Sequence, residues 1–273
     1  MNIATALGLL IGFGSLAISV VSEGGELSAF INMPAALVVF GGTLGAALVS
    51  FPGATVKQLP RLIGKAFRYR PTTPLSVGRI LVHLAERARR EGLLALEEDA
   101  AEIEDPMLRR GVMLVVDGTD PELLKSVLES EMGIREKEQE AQYGLLEAMG
   151  GYAPTMGIIG TVMGLVHVLS SLTDPSRLGA AIAVAFIATF YGVSSANLLW
   201  LPFASKLKKQ SETEGVIGQM ILEGLVSIQS GENPRILQER LAPYLPAEQQ
   251  GDALREQESD AVPGRVQESA AAG

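Results

Sequence analysis

Four stretches of this chain carry no Asp, Glu, Lys or Arg: Met1 to Ser22, Leu27 to Val56, Ala148 to Thr173 and Leu178 to Ser205. A helix rises about 1.5 Å per residue, so roughly 20 apolar residues cross about 30 Å of hydrocarbon, and each stretch is that long. The expected fold is an all-α integral membrane protein with four transmembrane helices. The 22 basic and 31 acidic residues are segregated from these runs, falling mainly between Lys57 and Glu147 and after Lys206. That division sets the expected organisation: residues 1–56 a first transmembrane hairpin, 57–147 a cytoplasmic helical domain, 148–205 a second hairpin, 206–245 a cytoplasmic helical tail, and 246–273 a disordered end rich in Gln, Glu, Ala and Gly. The first apolar run lacks the basic start of a signal peptide and a second run follows at once, so it is expected to be a retained span.

Orientation follows from the retention of Lys and Arg on the cytoplasmic side. Lys57, Arg61, Lys65, Arg68 and Arg70 follow the second span, and Lys206, Lys208 and Lys209 follow the fourth. The connection from Val21 to Asn32 has no basic residue and that from Thr173 to Arg177 has one, which places both termini in the cytoplasm. Within Gln58 to Tyr69, Leu59, Leu62, Ile63 and Phe67 alternate at helical spacing with Lys57, Arg61, Lys65 and Arg68. This pattern fits a basic amphipathic helix lying on lipid headgroups, or ordinary positive-inside charge. In the domain beyond it, helices are predicted over Leu75 to Arg89, Leu93 to Ile103 and Met107 to Val116, and a fourth, capped by Asp120-Pro121, runs as far as Met149.

Several function classes are excluded by what is missing. There is no cysteine, so disulfides and thiolate metal sites are out; the net charge of −9 argues against nucleic acid as a partner. The two histidines, His83 and His167, lie far apart, and no catalytic, metal-binding or phosphate-binding motif accompanies them. The third and fourth spans are rich instead in small and hydroxylated residues. Gly157, Gly160 and Gly164 permit close backbone approach, and Thr155, Thr161, Thr189, Ser194, Ser195 and Asn197 offer hydrogen bonds, each of which could also be spent on its own helix. Counting about 1.5 Å per residue, Thr161 and Thr189 reach the midplane from opposite sides. Pro154 and Pro202 fall at matching levels near the cytoplasmic mouth, either shaping mobile helix ends or simply starting and ending their helices. No ionisable Asp, Glu, Lys or Arg lies within any span, so a carboxylate for ion transfer would have to come from a partner.

These features resemble the MotA/PomA family, the A subunits of the flagellar stator. The likeness covers residues 1 to about 245 and is carried by Tyr152-Ala153-Pro154-Thr155-Met156-Gly157-Ile158-Ile159-Gly160-Thr161-Val162-Met163-Gly164-Leu165, by Asp174-Pro175, and by Ala183 to Phe186 running on through Thr189-Phe190-Tyr191-Gly192. Leu93-Leu94-Ala95-Leu96-Glu97-Glu98, Val116-Asp117-Gly118 and Ile228 to Arg235 add matches outside the membrane. The resemblance implies a homopentamer around two single-span MotB/PomB-type B subunits that carry a membrane Asp, in the bacterial inner membrane, turning the rotor through FliG. It implies rotor-binding roles for Arg89, Arg90, Glu97 and Glu98, coupling roles for Pro154 and Pro202, and an ion pathway past Thr161, Thr189 and position 188. Sodium-type relatives have two adjacent threonines in the fourth span, whereas Ala188 stands at the first of that pair here. Losing a hydroxyl favours translocated protons over sodium, since sodium needs several oxygen ligands to replace its water. No cofactor and no enzyme activity are implied. The rival readings are an ExbB/TolQ-like energiser, which the four spans and the Arg89/Glu97 pattern disfavour, a self-sufficient channel or transporter, which should carry its own intramembrane charge or broken helix, and a passive scaffold.

Overall fold

The computed structural model describes residues 3–68, 72–170 and 175–245. Among these residues there is no strand, and four helical stretches are long and apolar enough to cross a membrane: Ile3–Ser22, Leu27–Ser50, and parts of Pro121–Leu169 and Ile182–Gln229. The chain is an all-helical, multi-pass membrane protein. Two compact units, each made from two separate pieces, organise it: Met1–Pro71 with Arg135–Glu212, and Thr72–Ile134 with Thr213–Gly273. Asp174, Tyr69, Arg70 and the segment from Pro246 onward lie outside the described residues.

The membrane unit begins with α1 (Ile3–Ser22), which buries no residue within this chain. The second span is compound: α2 (Met33–Ala36), capped by the Asn32 side chain accepting from the Ala35 amide at 2.9 Å, a π-turn over Leu37–Gly41, then α3 (Gly42–Ser50). After Pro52 follow α4 (Gly53–Lys57) and α5 (Leu59–Arg68). Here the structure corrects the headgroup reading. The apolar face of α5 is covered by protein: Leu62 and Ala66 are buried in one cluster with Leu145, Met149 and Phe203, and Phe67 meets Phe203 edge-on with ring centroids 5.6 Å apart. Arg61 on α5 remains exposed.

The second unit is a helical domain whose starts are legible residue by residue. Helices α6 (Pro74–Glu91), α8 (Pro106–Val116) and α12 (Pro234–Leu241) each open with Pro directly after a capping residue. Proline lacks the N–H that a first-turn position leaves unpaired anyway, and the preceding side chain takes up a neighbouring orphan donor. Thr73 accepts from the Ser76 amide at 3.2 Å, Asp105 from Leu108 at 2.9 Å and Asn233 from Arg235 at 3.1 Å. Between α6 and α7 (Leu96–Glu102), Gly92 takes φ 89°, a left-handed turn that L side chains avoid. The core beneath is aliphatic, with Leu81, Leu108, Leu128 and Leu225 fully buried.

Two long helices contribute to both units. α9 (Pro121–Ser170) is one uninterrupted helix, so the predicted fourth domain helix does not stop at Met149 but continues into the third apolar stretch. Pro154 lies inside it, a correction to the reading of that residue as a helix end. α10 (Pro175–Ser195) leads through a π-turn, Ala196–Trp200, into α11 (Leu201–Gln229). Pro202 cannot donate to the carbonyl of Leu198 and its ring crowds that group; the widened turn containing Leu198 absorbs both effects.

Candidate functional site

In the membrane unit, α9 and α10 pack along a seam of small residues. A Cβ placed on Gly157 would lie 2.8 Å from the Ala188 carbonyl oxygen and 3.0 Å from Thr189 Cα; on Gly160 it would lie 2.6 Å from Ala188 Cβ; on Gly164, 2.7 Å from Ala185 Cβ. Gly192 approaches the backbone of Ala153 and Pro154 equally closely. Residues 157, 160 and 164 share one face of α9, so the absence of side chains there is what lets the helix backbones meet.

That approach brings the two sequence-predicted threonines together. Thr161 Oγ1 and Thr189 Oγ1 are 2.5 Å apart, and either hydroxyl can donate to the other. Thr161 Oγ1 also lies within donating reach of the Ala185 carbonyl at 2.9 Å and the Gly157 carbonyl at 3.1 Å, and Thr189 Oγ1 reaches the Gly157 carbonyl at 3.4 Å. Four oxygens thus converge between two helices, with both hydroxyls only partly buried. Ala188 sits in the seam at 2% exposure, its methyl facing Gly160. Three of the other polar residues are spent locally: Thr155 donates to the Tyr152 carbonyl at 2.7 Å, Ser195 to Gly192 at 3.2 Å and Asn197 to Val193 at 2.9 Å. Only Thr161 and Thr189 of the set link one span to the other.

The prolines are offset. Pro154 packs against Gly192, whereas Leu201, next to Pro202, packs against Gly150. Four residues separate Gly150 from Pro154 on one helix and ten separate Gly192 from Pro202 on the other, about 6 Å and 15 Å, so the two prolines do not stand at one level.

Composition could not reveal the role of Tyr191. Its hydroxyl donates to the Phe30 carbonyl and accepts from the Asn32 amide at 3.0 Å, tying the entry of the second span to α10. A tyrosine within an apolar run is the available signal, because a phenol in lipid needs a partner for its polar end. Ser50 and Tyr152 pair similarly at 2.8 Å between α3 and α9.

In the second unit the four charged residues singled out in the sequence are treated unequally. Arg89 and Arg90 in the last turn of α6, and Glu97 at the start of α7, are exposed and make no ion pair among the described residues. Glu98 is engaged by a residue that sequence reading missed, Arg87: Nη2 binds Glu98 at 2.6 Å, Nη1 binds Asp99 at 2.7 Å and Nε binds Glu91 at 3.1 Å. Donation to Glu98, then to Glu91 and Asp99, holds the guanidinium pKa well above its ordinary range. Arg87 and its partners Glu98 and Asp99 lie on different helices separated by the Gly92 turn, so only the fold brings these groups together.

Two spans without charged residues, packed through glycine with a hydroxyl pair across their seam, beside a separate charged helical unit, define a polytopic membrane subunit. Residues 99–220 match the MotA/TolQ/ExbB proton channel family, and residues 6–92 match the motility protein A N-terminal family. Motility protein A of Borreliella burgdorferi is 38% identical over 90% of this chain and 94% of its own length, and chemotaxis protein PomA of Vibrio alginolyticus is 34% identical over 90% and 96%. The structure of C. jejuni MotAB superimposes with a TM-score of 0.85 at 30% identity, covering 90% of this chain and 97% of that one. The chain belongs to the MotA/PomA family of motility proteins.

Proposed function

We propose that this chain is the A subunit of a flagellar stator, held in the bacterial inner membrane with both termini in the cytoplasm, which couples inward proton flow to torque on the rotor. In this reading five copies surround two single-span B subunits, whose membrane Asp supplies the titrating group that the spans here lack. The observation that carries the proposal is the Thr161–Thr189 pair, a hydroxyl bridge across a seam lined by small residues. A hydroxyl both donates and accepts, so a linked pair can relay a proton to and from a neighbouring carboxylate. Its oxygens are already engaged with each other and with helix carbonyls, and Ala188 offers no further ligand, an arrangement better suited to protons than to stripping water from sodium. Pro154 and Pro202 are the coupling prolines, and Arg89, Arg90 and Glu97 are the charges that meet FliG, with Glu98 beside them on that surface, held by Arg87.

The test is swimming speed in cells that use this chain as their only A subunit. Speed should be indifferent to external sodium and collapse with a protonophore; the reverse pattern would exclude proton coupling. Reconstituted alone in liposomes, the chain should be electrically silent, and should conduct only when the B subunit is present. Conductance without that partner would defeat the assignment of the carboxylate to it.

A further inference from the structure

The contact set of Arg87 reaches beyond a surface ion pair. Its planar fork engages one carboxylate from its own helix, Glu91, and two from the next, Glu98 and Asp99, with the Gly92 turn and a 3₁₀ turn over Leu93–Ala95 lying between. The Arg87 side chain is 22% exposed, that of Asp99 18% and that of Glu98 82%. A partly shielded cation therefore holds one shielded and one open carboxylate at the junction of α6 and α7. Next to these residues in sequence are Arg89, Arg90 and Glu97, each exposed and without an ion-pair partner among the described residues.

We propose that Arg87 is a positioning residue for the rotor-facing surface: it fixes α6 against α7 and occupies the Glu98 carboxylate, leaving Arg89, Arg90 and Glu97 as the charges presented to a partner. This rests on the reading of that surface as the rotor contact. Without the fork, Glu91, Glu98 and Asp99 are left close together beside Glu97, and their repulsion drives the ends of α6 and α7 apart. The opposite-sign pattern that orients a transient partner then loses its spacing and gains a negative charge. Lysine is a poor replacement, because a single ammonium on a flexible stem cannot span three carboxylates in fixed directions.

The experiment uses the full chain with its B subunit in cells lacking other stators. Arg87→Ala should lower swimming and the number of fluorescent stators at the motor several-fold, and Arg87→Lys should fall between it and the parent. Ion conduction by the complex should stay unchanged in both. Adding Glu98→Gln to Arg87→Ala should restore most of the lost swimming, because the released charge is then gone. Recovery with Asp99→Asn but not with Glu98→Gln would overturn the proposal, since Arg87 would then merely compensate a shielded acid. So would conduction that falls in parallel with swimming, or Arg87→Ala cells that swim like the parent while Arg89→Glu cells do not. If Arg89→Glu cells also swim normally, the rotor-contact reading itself falls.

Discussion

The tightness of the α9–α10 seam yields a quantitative test. Gly157→Ala adds one methyl where the Ala188 carbonyl oxygen lies at 2.8 Å and Thr189 Cα at 3.0 Å. Carbon contacts are comfortable at about 3.5–4.0 Å, so one helix must retreat by roughly 0.5–1 Å. Both obstacles are backbone, which has no rotamer to yield. Overpacking of this kind costs about 1–3 kcal/mol. Alanine also gains up to about 1 kcal/mol in helix propensity over glycine, which would mask part of the loss. Gly151→Ala isolates the steric cost: it lies in the same helix, meets nothing within 4 Å in this chain, and gains the same propensity.

The difference between the two variants is therefore the packing cost alone. At about 2–4 °C per kcal/mol for a chain of this size, Gly157→Ala should melt roughly 2–12 °C below Gly151→Ala. Trp200, the one tryptophan and 9% exposed beside the seam, reports the transition by fluorescence in detergent. Swimming should fall with it, because a retreat of that size also stretches the 2.5 Å hydroxyl contact between Thr161 and Thr189 to roughly 3.0–3.5 Å, where an O–H···O bond is weak. Two variants that melt together and swim alike would refute the claim that the backbones meet at Gly157.

Thr161→Val keeps the shape of the side chain but removes its hydroxyl; it should cost about 0.5–1.5 kcal/mol and slow swimming at normal membrane abundance, and parental speed would remove Thr161 from the ion path. Asp105→Ala should lower unfolding stability by about 1 kcal/mol through the lost cap on α8, with Asp105→Asn largely spared, as denaturant titration of both variants would register. Tyr244 donates to Glu223 at 2.7 Å, and that bond, followed by burial and the nearby negative charge, raises its pKa. The folded chain thus favours the neutral phenol: the contribution is complete below the ordinary tyrosine value of about 10 and is lost as pH rises through the raised folded value. Thermal unfolding on either side of about pH 10 should show a decline that Tyr244→Phe flattens, and equal slopes in the two proteins would contradict it.

What could be read from residues alone tracks how local each cause is. Spans are dictated by the thickness of hydrocarbon, and the starts of α6, α8 and α12 by a cap and a proline side by side, so neither needs a distant partner to be recognised. The continuity of α9 was hidden because the apolar run begins at Ala148 and holds Gly150, Gly151 and Pro154, ordinarily a stop. A single internal proline forfeits one hydrogen bond and crowds one carbonyl, and here Gly192 packs closely against that stretch of backbone. The amphipathicity of α5 announced an apolar face without saying whether lipid or Phe203 would cover it.

The same distinction runs through the candidate site. Residue type marked Thr155, Thr161, Thr189, Ser195 and Asn197 as potential donors, but only packing register decides which of them crosses to another helix. That register comes from a match between two separate segments: Gly157, Gly160 and Gly164 on α9 accept Ala185, Ala188 and Thr189 on α10 at near-backbone distance. A bulkier residue at any of the three glycines would shift the register and return both hydroxyls to their own helices. The small residues and the threonine pair are thus one device, with glycine setting the separation at which a hydroxyl bridge between spans becomes possible.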